Sequence, residues 1–355
     1  MTKLKAVKVD YICLMKIVVA PDSYKGCMSS KEVALTICST LLKIDPSTET
    51  LPLCVADGGE GTVEAMVDAL GGECVSALVS DPLGRPVRAE YGIAGNLAII
   101  ESAAACGLTL LRPEERNPLL TTTKGLGELI LDAIGKGCRR FIVGLGGSAT
   151  NDGGMGMVSV PGFLERTKGL EFTVACDVDT PFIGLNGASR TFAPQKGASP
   201  TDVEILEGRM ERCAEKILQD TGVDVSDMPG AGAAGGLGGA FRAYLGATLK
   251  RGVDMVLDAI DFDSRLAGAD MVITGEGCSD FQTVKGKTAF GILQRANRYG
   301  VPVALVSGAI KDEGVLRDAG FSSIHRVSPE GMPVEEAMRP EVTRRNIENT
   351  IKNIF

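Results

Sequence analysis

Tryptophan is absent from this chain of 355 residues, histidine occurs once, and aromatic residues make up only 5%. A single histidine, His325, argues against most zinc sites and against any conventional Ser-His-Asp or Cys-His mechanism. The scarcity of aromatic rings argues against a platform on which nucleic-acid bases could stack. Lys and Arg number 37 against 45 Asp and Glu, a net charge of −8. This charge also argues against a general nucleic-acid binder, which needs a basic face.

Signals for disulfides and for membrane insertion are missing as well. Ten cysteines are scattered without a CxxC pair, which favours a reduced protein whose cysteines are mostly small buried hydrophobic residues. No uncharged run reaches the roughly 18 residues of a membrane span, and charged residues interrupt the start of the chain. We therefore expect a cytoplasmic protein that has neither nucleic acid nor a membrane as a partner.

Alternation of short apolar strands with amphipathic helices is the main pattern that is present. It begins with a strand at 16–21 and ends in two strand–helix repeats between 270 and 319. This alternation predicts an α/β fold with mainly parallel sheets. An antiparallel-looking cluster at 74–101 interrupts it and suggests a second domain inserted into the first.

We therefore expect two α/β domains with the active site in the cleft between them. The predicted parts are a Rossmann-like domain from residues 15–80 and 260–355, an inserted α/β domain at 81–259, and an N-terminal extension at 1–14. Hinges are expected at the two crossings, residues 80–86 and 258–264. The proline and glycine residues of the first crossing resist helix and strand.

Glycine is abundant, with 45 residues, and it concentrates in loops that follow strands. Five such loops carry polar or charged partners, at residues 20–26, 56–62, 144–154, 192–197 and 274–283. In open α/β sheets, ligands bind beyond the carboxyl ends of the strands. Backbone N–H groups in such turns can cradle phosphate, and carboxylates beside them can hold Mg²⁺. The loops therefore predict a phosphate or nucleotide site.

Two further glycine motifs fit known nucleotide-binding patterns poorly. Gly286-Lys287-Thr288 resembles the end of a Walker A loop, but Phe281 stands where that pattern requires glycine. Residues 230–235 have the GxGxxG spacing of a dinucleotide-binding loop, but the segment before them is a poor strand that ends in Pro229. This second segment is better explained as a helix N-terminus that offers amides to an anion, or as a site of close helix packing.

Seven motifs in series resemble the signatures of the type-1 glycerate kinases. They are APDSYKG (20–26), ADGGEGT (56–62), GGSATNDGG (146–154), ACDV (175–178), PQKGA (194–198), PGAGAAGG (229–236) and VITGEG (272–277). Their order matches that of the family, and the resemblance covers nearly everything from Met15 onward. It implies ATP- and Mg²⁺-dependent phosphorylation of D-glycerate, usually at the 2-hydroxyl to give 2-phosphoglycerate.

The chain departs from this family in two places. The segment 158–173 is shorter than the family's, and Pro161-Gly162 interrupts what should continue as a helix. Cys278 stands where the family usually has an arginine after Gly-Glu-Gly. If that arginine contacts phosphate, one positive contact is lost here.

Phosphoryl transfer needs a positioned hydroxyl, cations on the phosphates and a metal ion. The catalytic candidates are Asp177, Asp280, Lys25 and Lys196. Asp177 is favoured as the base, with Asp280 behind it, and the sequence leaves open which lysine binds the glycerate carboxylate and which a phosphate. The candidates for binding substrate or phosphate are Asp22, Ser23, Asp57, Gly58, Gly59, Ser148, Asn151, Gln195, Gly275, Gln282, Thr283 and Lys287. The candidate magnesium ligands are Asp57, Asp152 and Glu276.

The implied ligands are ATP, Mg²⁺ and D-glycerate, and the chain is expected to act as a monomer or a homodimer. Two alternatives stay open. One is an NAD(P)-dependent hydroxy-acid dehydrogenase built on residues 230–235. The other is a catalytically impaired homologue of the glycerate kinases, suggested by the shortened segment after Met157.

Overall fold

The computed structural model describes residues 15–59 and 61–355. The predicted N-terminal extension, residues 1–14, therefore lies outside the described residues. The strands are β1 (Lys16–Val19), β2 (Glu49–Pro52), β3 (Glu73–Ser80), β4 (Pro86–Ala94), β5 (Leu97–Glu101), β6 (Arg140–Gly144), β7 (Glu171–Ala175), β8 (Thr248–Lys250), β9 (Met271–Thr274), β10 (Cys278–Ser279), β11 (Val303–Ser307), β12 (Ala309–Ile310) and β13 (Ser323–Arg326).

The α-helices alternate with these strands. They are α1 (Ser30–Ile44), α2 (Thr62–Leu70), α3 (Ala103–Cys106), α4 (Lys124–Gly135), α5 (Met155–Val158), α6 (Phe163–Arg166), α7 (Ala188–Phe192), α8 (Pro200–Thr221), α9 (Ala233–Leu245), α10 (Gly252–Ala259), α11 (Phe262–Arg265), α12 (Thr288–Arg298), α13 (Glu313–Asp318), α14 (Val334–Ala337) and α15 (Pro340–Ile354). None of the helices in the described part of the chain is both long and apolar enough to cross a membrane.

Two main sheets organise the chain. The first has the order β13-β11-β9-β1-β2 and is parallel throughout. The second has the order β3-β4-β5-β6-β7-β8, antiparallel from β3 to β5 and parallel from β5 to β8. The mixed α/β architecture with mainly parallel sheets is therefore confirmed.

Apolar alternation along the strands places helices on both faces of each sheet. In β1, Ile17 packs in a cluster with α1 and α15, whereas Val18 packs with α10 and α12 on the opposite face. In the second sheet, Phe141 packs with α4 and α9, and Ile142 packs with α2 and α10 on the other side. Helix α10 thus contributes to the cores of both sheets.

Strand pairing corrects the predicted boundary at residue 80. All of β3 pairs with β4, from Glu73 opposite Ile93 to Ser80 opposite Pro86, so β3 belongs to the second sheet. The predicted first hinge at 80–86 is also wrong, because this segment is the turn of that hairpin. There the Asp81 Oδ1 accepts hydrogen bonds from two backbone N–H groups of the turn, each at 2.8 Å. Proline and glycine suit a tight turn as well as a linker, so the composition could not separate the two.

The chain crosses between the sheets in other places. It leaves the first sheet after β2 and reaches the second with α2, so the glycine-rich loop at 56–62 is itself the first crossing. It returns through α10 and α11 before β9.

Candidate active site

Loops from both sheets meet at one cleft of about 930 Å³. Its walls come from the loops that follow β1 and β2 in the first sheet and β5, β6 and β7 in the second. The predicted site residues that line it are Lys25, Asp57, Gly58, Gly59, Ser148, Asp177, Gln195 and Lys196. The carboxyl ends of the strands therefore bring together side chains that are far apart in sequence.

Glycines allow the crossing loop to lie directly on the second sheet. A Cβ atom on Gly252 would stand 1.8 Å from the carbonyl oxygen of Asp57, and one on Gly144 would stand 2.4 Å from that of Gly58. No side chain fits at such distances. These glycines are thus required by the close approach of two backbones at the floor of the cleft.

Lys25 and Asp57 stand at the side of the cleft nearer the first sheet. The Lys25 Nζ lies 3.8 Å from the Asp57 Oδ2, and the lysine side chain is 64% exposed. The Asp57 Oδ1 accepts a hydrogen bond from the Gly59 N–H at 3.0 Å. This carboxylate is therefore held in place and still partly open to solvent.

Asp177 follows β7 and meets the N-terminus of α10. Its Oδ1 accepts a hydrogen bond from the Gly252 N–H at 3.0 Å. Burial raises the pKa of Asp177 and the nearby Asp57 carboxylate raises it further, whereas the Gly252 N–H acts in the opposite direction. A carboxylate with a raised pKa is a better proton acceptor, which is the property a general base needs.

Lys196 lines the same cleft but is almost fully buried, with 2% of its surface exposed. Its Nζ donates to the Ser148 Oγ at 3.0 Å and to the Thr150 carbonyl oxygen at 2.7 Å. Burial lowers its pKa to about 8. Lysine has three N–H donors, so these two bonds leave one for a further acceptor.

Asp22 and Ser23 lie beside the cleft in a smaller pocket of about 280 Å³ that shares Lys25 with it. The Asp22 Oδ2 accepts a hydrogen bond from the Thr288 Oγ1 at 2.6 Å. Burial, and after it the Asp57 carboxylate, raises the pKa of Asp22 to about 6. Asp22 is thus a buried acid next to the site.

The predicted residues of the fifth glycine-rich loop do not line the cleft. The Glu276 carboxylate accepts hydrogen bonds from the Thr283 Oγ1 at 2.6 Å and from the Lys287 Nζ at 3.3 Å. The Asp280 Oδ1 accepts one from the Gln282 N–H at 2.8 Å and so closes a local turn. The Gly275 carbonyl oxygen accepts from the Asp22 N–H, which attaches this loop to the first one. The loop forms a network behind the cleft wall.

The three predicted magnesium ligands are not brought together. The Asp152 Oδ2 accepts hydrogen bonds from the N–H and the Oγ1 of Thr123 and from the Gly156 N–H, while its Oδ1 accepts from the Gly154 N–H. Asp152 therefore organises backbone, and Glu276 belongs to the network just described. Across residues 15–59 and 61–355, no group of three or more His, Cys, Asp or Glu side chains could hold a metal ion.

Asn151 is also absent from the cleft lining; it is buried, and its Nδ2 donates to the buried Ser189 Oγ at 3.1 Å. The sequence missed Glu101, the last residue of β5, which lines the cleft and accepts a hydrogen bond from the Val63 N–H at 3.0 Å. The strand-end rule that selected the glycine-rich loops could have found it. Ala234 also lines the cleft with a positive φ of 52°, a conformation that no sequence signal predicted.

Residues 230–235 lack the strand that a dinucleotide-binding loop requires, since β7 ends at Ala175 and α8 comes between. They pack instead against the third glycine-rich loop. A Cβ on Gly235 would stand 2.1 Å from the Thr150 carbonyl oxygen, and the Gly235 carbonyl accepts from the Gly153 N–H at 3.0 Å. The GxGxxG spacing here reflects close packing.

Known proteins similar to this chain agree with the motif series. The chain matches the glycerate kinase family in two segments, residues 17–164 and 158–355. The glycerate kinase of Bacillus subtilis (strain 168) is 41% identical over 374 aligned residues, covering 95% of this chain and 98% of that protein. The glycerate 2-kinase of Escherichia coli (strain K12) is 42% identical, covering 92% of this chain and 93% of that protein.

A crystal structure provisionally named glycerate kinase 2, from Salmonella typhimurium LT2, superposes with a TM-score of 0.87 at 41% identity. The superposition covers 96% of this chain and 97% of the Salmonella chain. Family, sequence relatives and solved structure thus agree over nearly the whole chain. The family inferred from the seven motifs is confirmed, and the chain belongs to the glycerate kinase family.

Proposed function

We propose that this protein transfers the γ-phosphoryl group of ATP to the 2-hydroxyl of D-glycerate, with Mg²⁺, to give 2-phosphoglycerate and ADP. The observation that carries the proposal is one cleft holding a lysine–aspartate pair, a second buried carboxylate and a buried lysine on loops of two sheets. The Escherichia coli relative, named glycerate 2-kinase, supports the 2-position. The proposal places the reaction in the cytoplasm, with no nucleic acid or membrane as partner, in a monomer or a homodimer.

Asp177 takes the role of general base. It accepts the proton of the 2-hydroxyl while that oxygen bonds to the γ-phosphorus and the bond to the ADP oxygen breaks. Its burial and the raised pKa that follows support this role. The hydrogen bond from Gly252 fixes one carboxylate oxygen and leaves the other for the substrate.

Lys25 neutralises charge on the transferred phosphoryl group, because its side chain is largely exposed and lines the cleft beside Asp57. Asp57 fits Mg²⁺, which in kinases is bound through one or two carboxylates together with substrate phosphates and water. Asp152 and Glu276 do not fit it, since donors already occupy their oxygens. When bound, the ion would offset the negative charge that develops on the phosphates.

The shortened segment 158–173 does not weigh against catalysis. The alignment with the Bacillus subtilis relative spans 374 residues, more than the 355 of this chain, so that relative carries residues without a counterpart here. Here α5 ends at Val158 and α6 follows after Pro161, yet Met157, Val160 and Phe163 stay buried in the core. Strand β7 then pairs with both neighbours, which supports an intact cleft at its far end.

The division into two domains is also proposed, with β3 now assigned to the second. The cleft lies where loops of both sheets meet, so closure of one sheet on the other would exclude water from the phosphoryl group. The return crossing through residues 258–264 is the proposed hinge. A smaller radius of gyration in small-angle scattering with a non-hydrolysable ATP analogue and glycerate is the expected result.

The test is ADP release measured with each substrate omitted in turn, followed by phosphorus NMR of the product. We expect release that needs both D-glycerate and Mg²⁺, stops with EDTA and gives 2-phosphoglycerate. Asp177→Asn is expected to lower kcat at least about 100-fold, the scale of a lost general base. Release of ADP without glycerate, or reduction of NAD(P)⁺ by glycerate, would contradict the proposal.

A further inference from the structure

We infer that Lys196, with Ser148 and Gln195 beside it, forms the subsite that binds the carboxylate of the phosphoryl acceptor and restricts acceptors to small hydroxy acids. This inference rests on the proposed function and deepens it. It divides the roles of the two cleft lysines, which the sequence could not separate.

The charge of Lys196 points to an anionic ligand. Its side chain is buried, and no carboxylate of the described residues lies within ion-pair distance of its Nζ. An isolated buried ammonium costs several kcal/mol, and buried charges are ordinarily paired. A buried ammonium at the cleft wall that has no carboxylate partner in the protein can pair with an anionic group of the bound ligand.

The hydrogen-bonding geometry around the Lys196 ammonium points to the same role. The Ser148 Oγ and the Thr150 carbonyl oxygen accept two of its three protons and hold it in place. Ser148 and Gln195 line the same cleft and offer further donors.

Lys196 contrasts with Lys25. That lysine is largely exposed and already pairs with Asp57, so it can follow a phosphoryl group during transfer. Lys196 is fixed and surrounded, so it suits a small anionic group that stays in place through the reaction. A carboxylate beside the reacting carbon fits this requirement.

The experiment compares Lys196→Met with wild type and with Lys168→Met, an exposed lysine outside the cleft. Calorimetry measures binding of D-glycerate and of ATP separately, and steady-state kinetics use D-glycerate and its neutral amide as acceptors. We expect Lys196→Met to weaken D-glycerate binding and raise its KM at least about 30-fold, to leave the ATP affinity within about twofold, and to remove most of the preference for glycerate over the amide.

A change of pH gives a second readout. Deprotonation of Lys196 removes the charge that the carboxylate binds, so D-glycerate affinity of wild type should fall as pH rises above about 8. This fall should be absent in Lys196→Met. Lys168→Met should behave as wild type in every measurement.

The outcomes separate this inference from the proposed function. Loss of ATP affinity in Lys196→Met with D-glycerate binding retained would assign Lys196 to a phosphate and overturn the inference. Unchanged D-glycerate binding would also overturn it. Lys196-dependent binding of D-glycerate without any phosphoryl transfer by wild type would support the subsite while contradicting the proposed reaction.

Discussion

Two buried cations of this protein have opposite surroundings. Arg295, on α12, is 9% exposed and forms ion pairs with Asp254 at 3.5 Å, Asp258 at 2.5 Å and Asp263 at 3.1 Å. Lys196 is 2% exposed and pairs with none of the described carboxylates. Both side chains lie in low-dielectric surroundings, but only one has its counter-charge supplied by the protein.

The difference also appears in their pKa values. Burial lowers the pKa of both groups, but hydrogen bonds to Asp258 and Asp263 outweigh it at Arg295 and raise that pKa above its ordinary value. At Lys196 nothing outweighs burial, and the pKa falls to about 8. Arg295 therefore joins α10, α11 and α12 into one unit, whereas Lys196 has no carboxylate partner among the described residues. A buried cation with carboxylate partners stabilises the packing of its neighbours. A buried cation without such partners is a candidate for binding an anionic ligand.

Arg295→Met should give the largest effect. It removes the cation that three partly exposed carboxylates share; Arg251 stays beside Asp254 and Lys250 beside Asp258, while Asp263 loses its cation. The loss of charged hydrogen bonds of this kind costs about 1.5–3 kcal/mol. We expect chemical denaturation to show a loss of this size in the free energy of unfolding. Arg298→Met, on the exposed end of the same helix, should change it by less than about 0.5 kcal/mol. If Arg295→Met and Arg298→Met lowered the free energy of unfolding equally, the ion pairs of Arg295 would not be stabilising, and its contrast with Lys196 would be lost.

Asp22→Asn tests a buried acid that faces no strong counter-charge. Its pKa in the folded protein is about 6, above the ordinary 3.8, so the folded state holds this proton more tightly than the unfolded state. The contribution of Asp22 is thus favourable at low pH and is lost as pH rises from about 4 to about 6. We expect the melting temperature of Asp22→Asn to rise relative to wild type by a few degrees across this interval.

The exposed Asp318→Asn serves as the control for this measurement. Its melting temperature should follow the wild-type curve at every pH. A constant offset between Asp22→Asn and wild type from pH 4 to pH 6 would show that Asp22 is not strained by its burial.

Lys196→Met should have the smallest effect on stability. Removing a buried charge without a carboxylate partner relieves its desolvation cost, and this offsets the loss of two hydrogen bonds of about 1 kcal/mol each. The free energy of unfolding should stay within about 1 kcal/mol of wild type below pH 8, as in Lys168→Met. A loss as large as that of Arg295→Met would mean that Lys196 is structural, and the subsite would need another explanation.

Much of the lining of the candidate site could be predicted from the sequence because its loops obey local rules. Asp57, Ser148, Asp177 and Lys196 follow strands or lie in glycine-rich turns, and the carboxyl ends of parallel strands lie at one edge of each sheet. The same rules selected Asp152 and Asp280, which the structure uses to hold backbone N–H groups. Aspartate caps turns as readily as it binds ligands, so residue type and position could not distinguish the two uses.

The predicted hinge at residues 80–86 was wrong for a related reason. Proline and glycine report that regular structure stops, but not whether the chain then turns back or passes to another domain. That depends on whether β3 finds a pairing partner, and the partner is β4 on the far side of the turn.

By itself, the sequence determined the family, the alternation of strands and helices, and the glycine-rich loops, because each is encoded in residues that are neighbours along the chain. Only the tertiary structure decided which buried charges have a partner of opposite charge. Asp258 is 37 positions from Arg295, and Ser148 is 48 positions from Lys196. A side chain's partners, and with them its burial cost and its pKa, are fixed by packing between elements distant in sequence, so the difference between a structural cation and a binding cation arises only in the folded molecule.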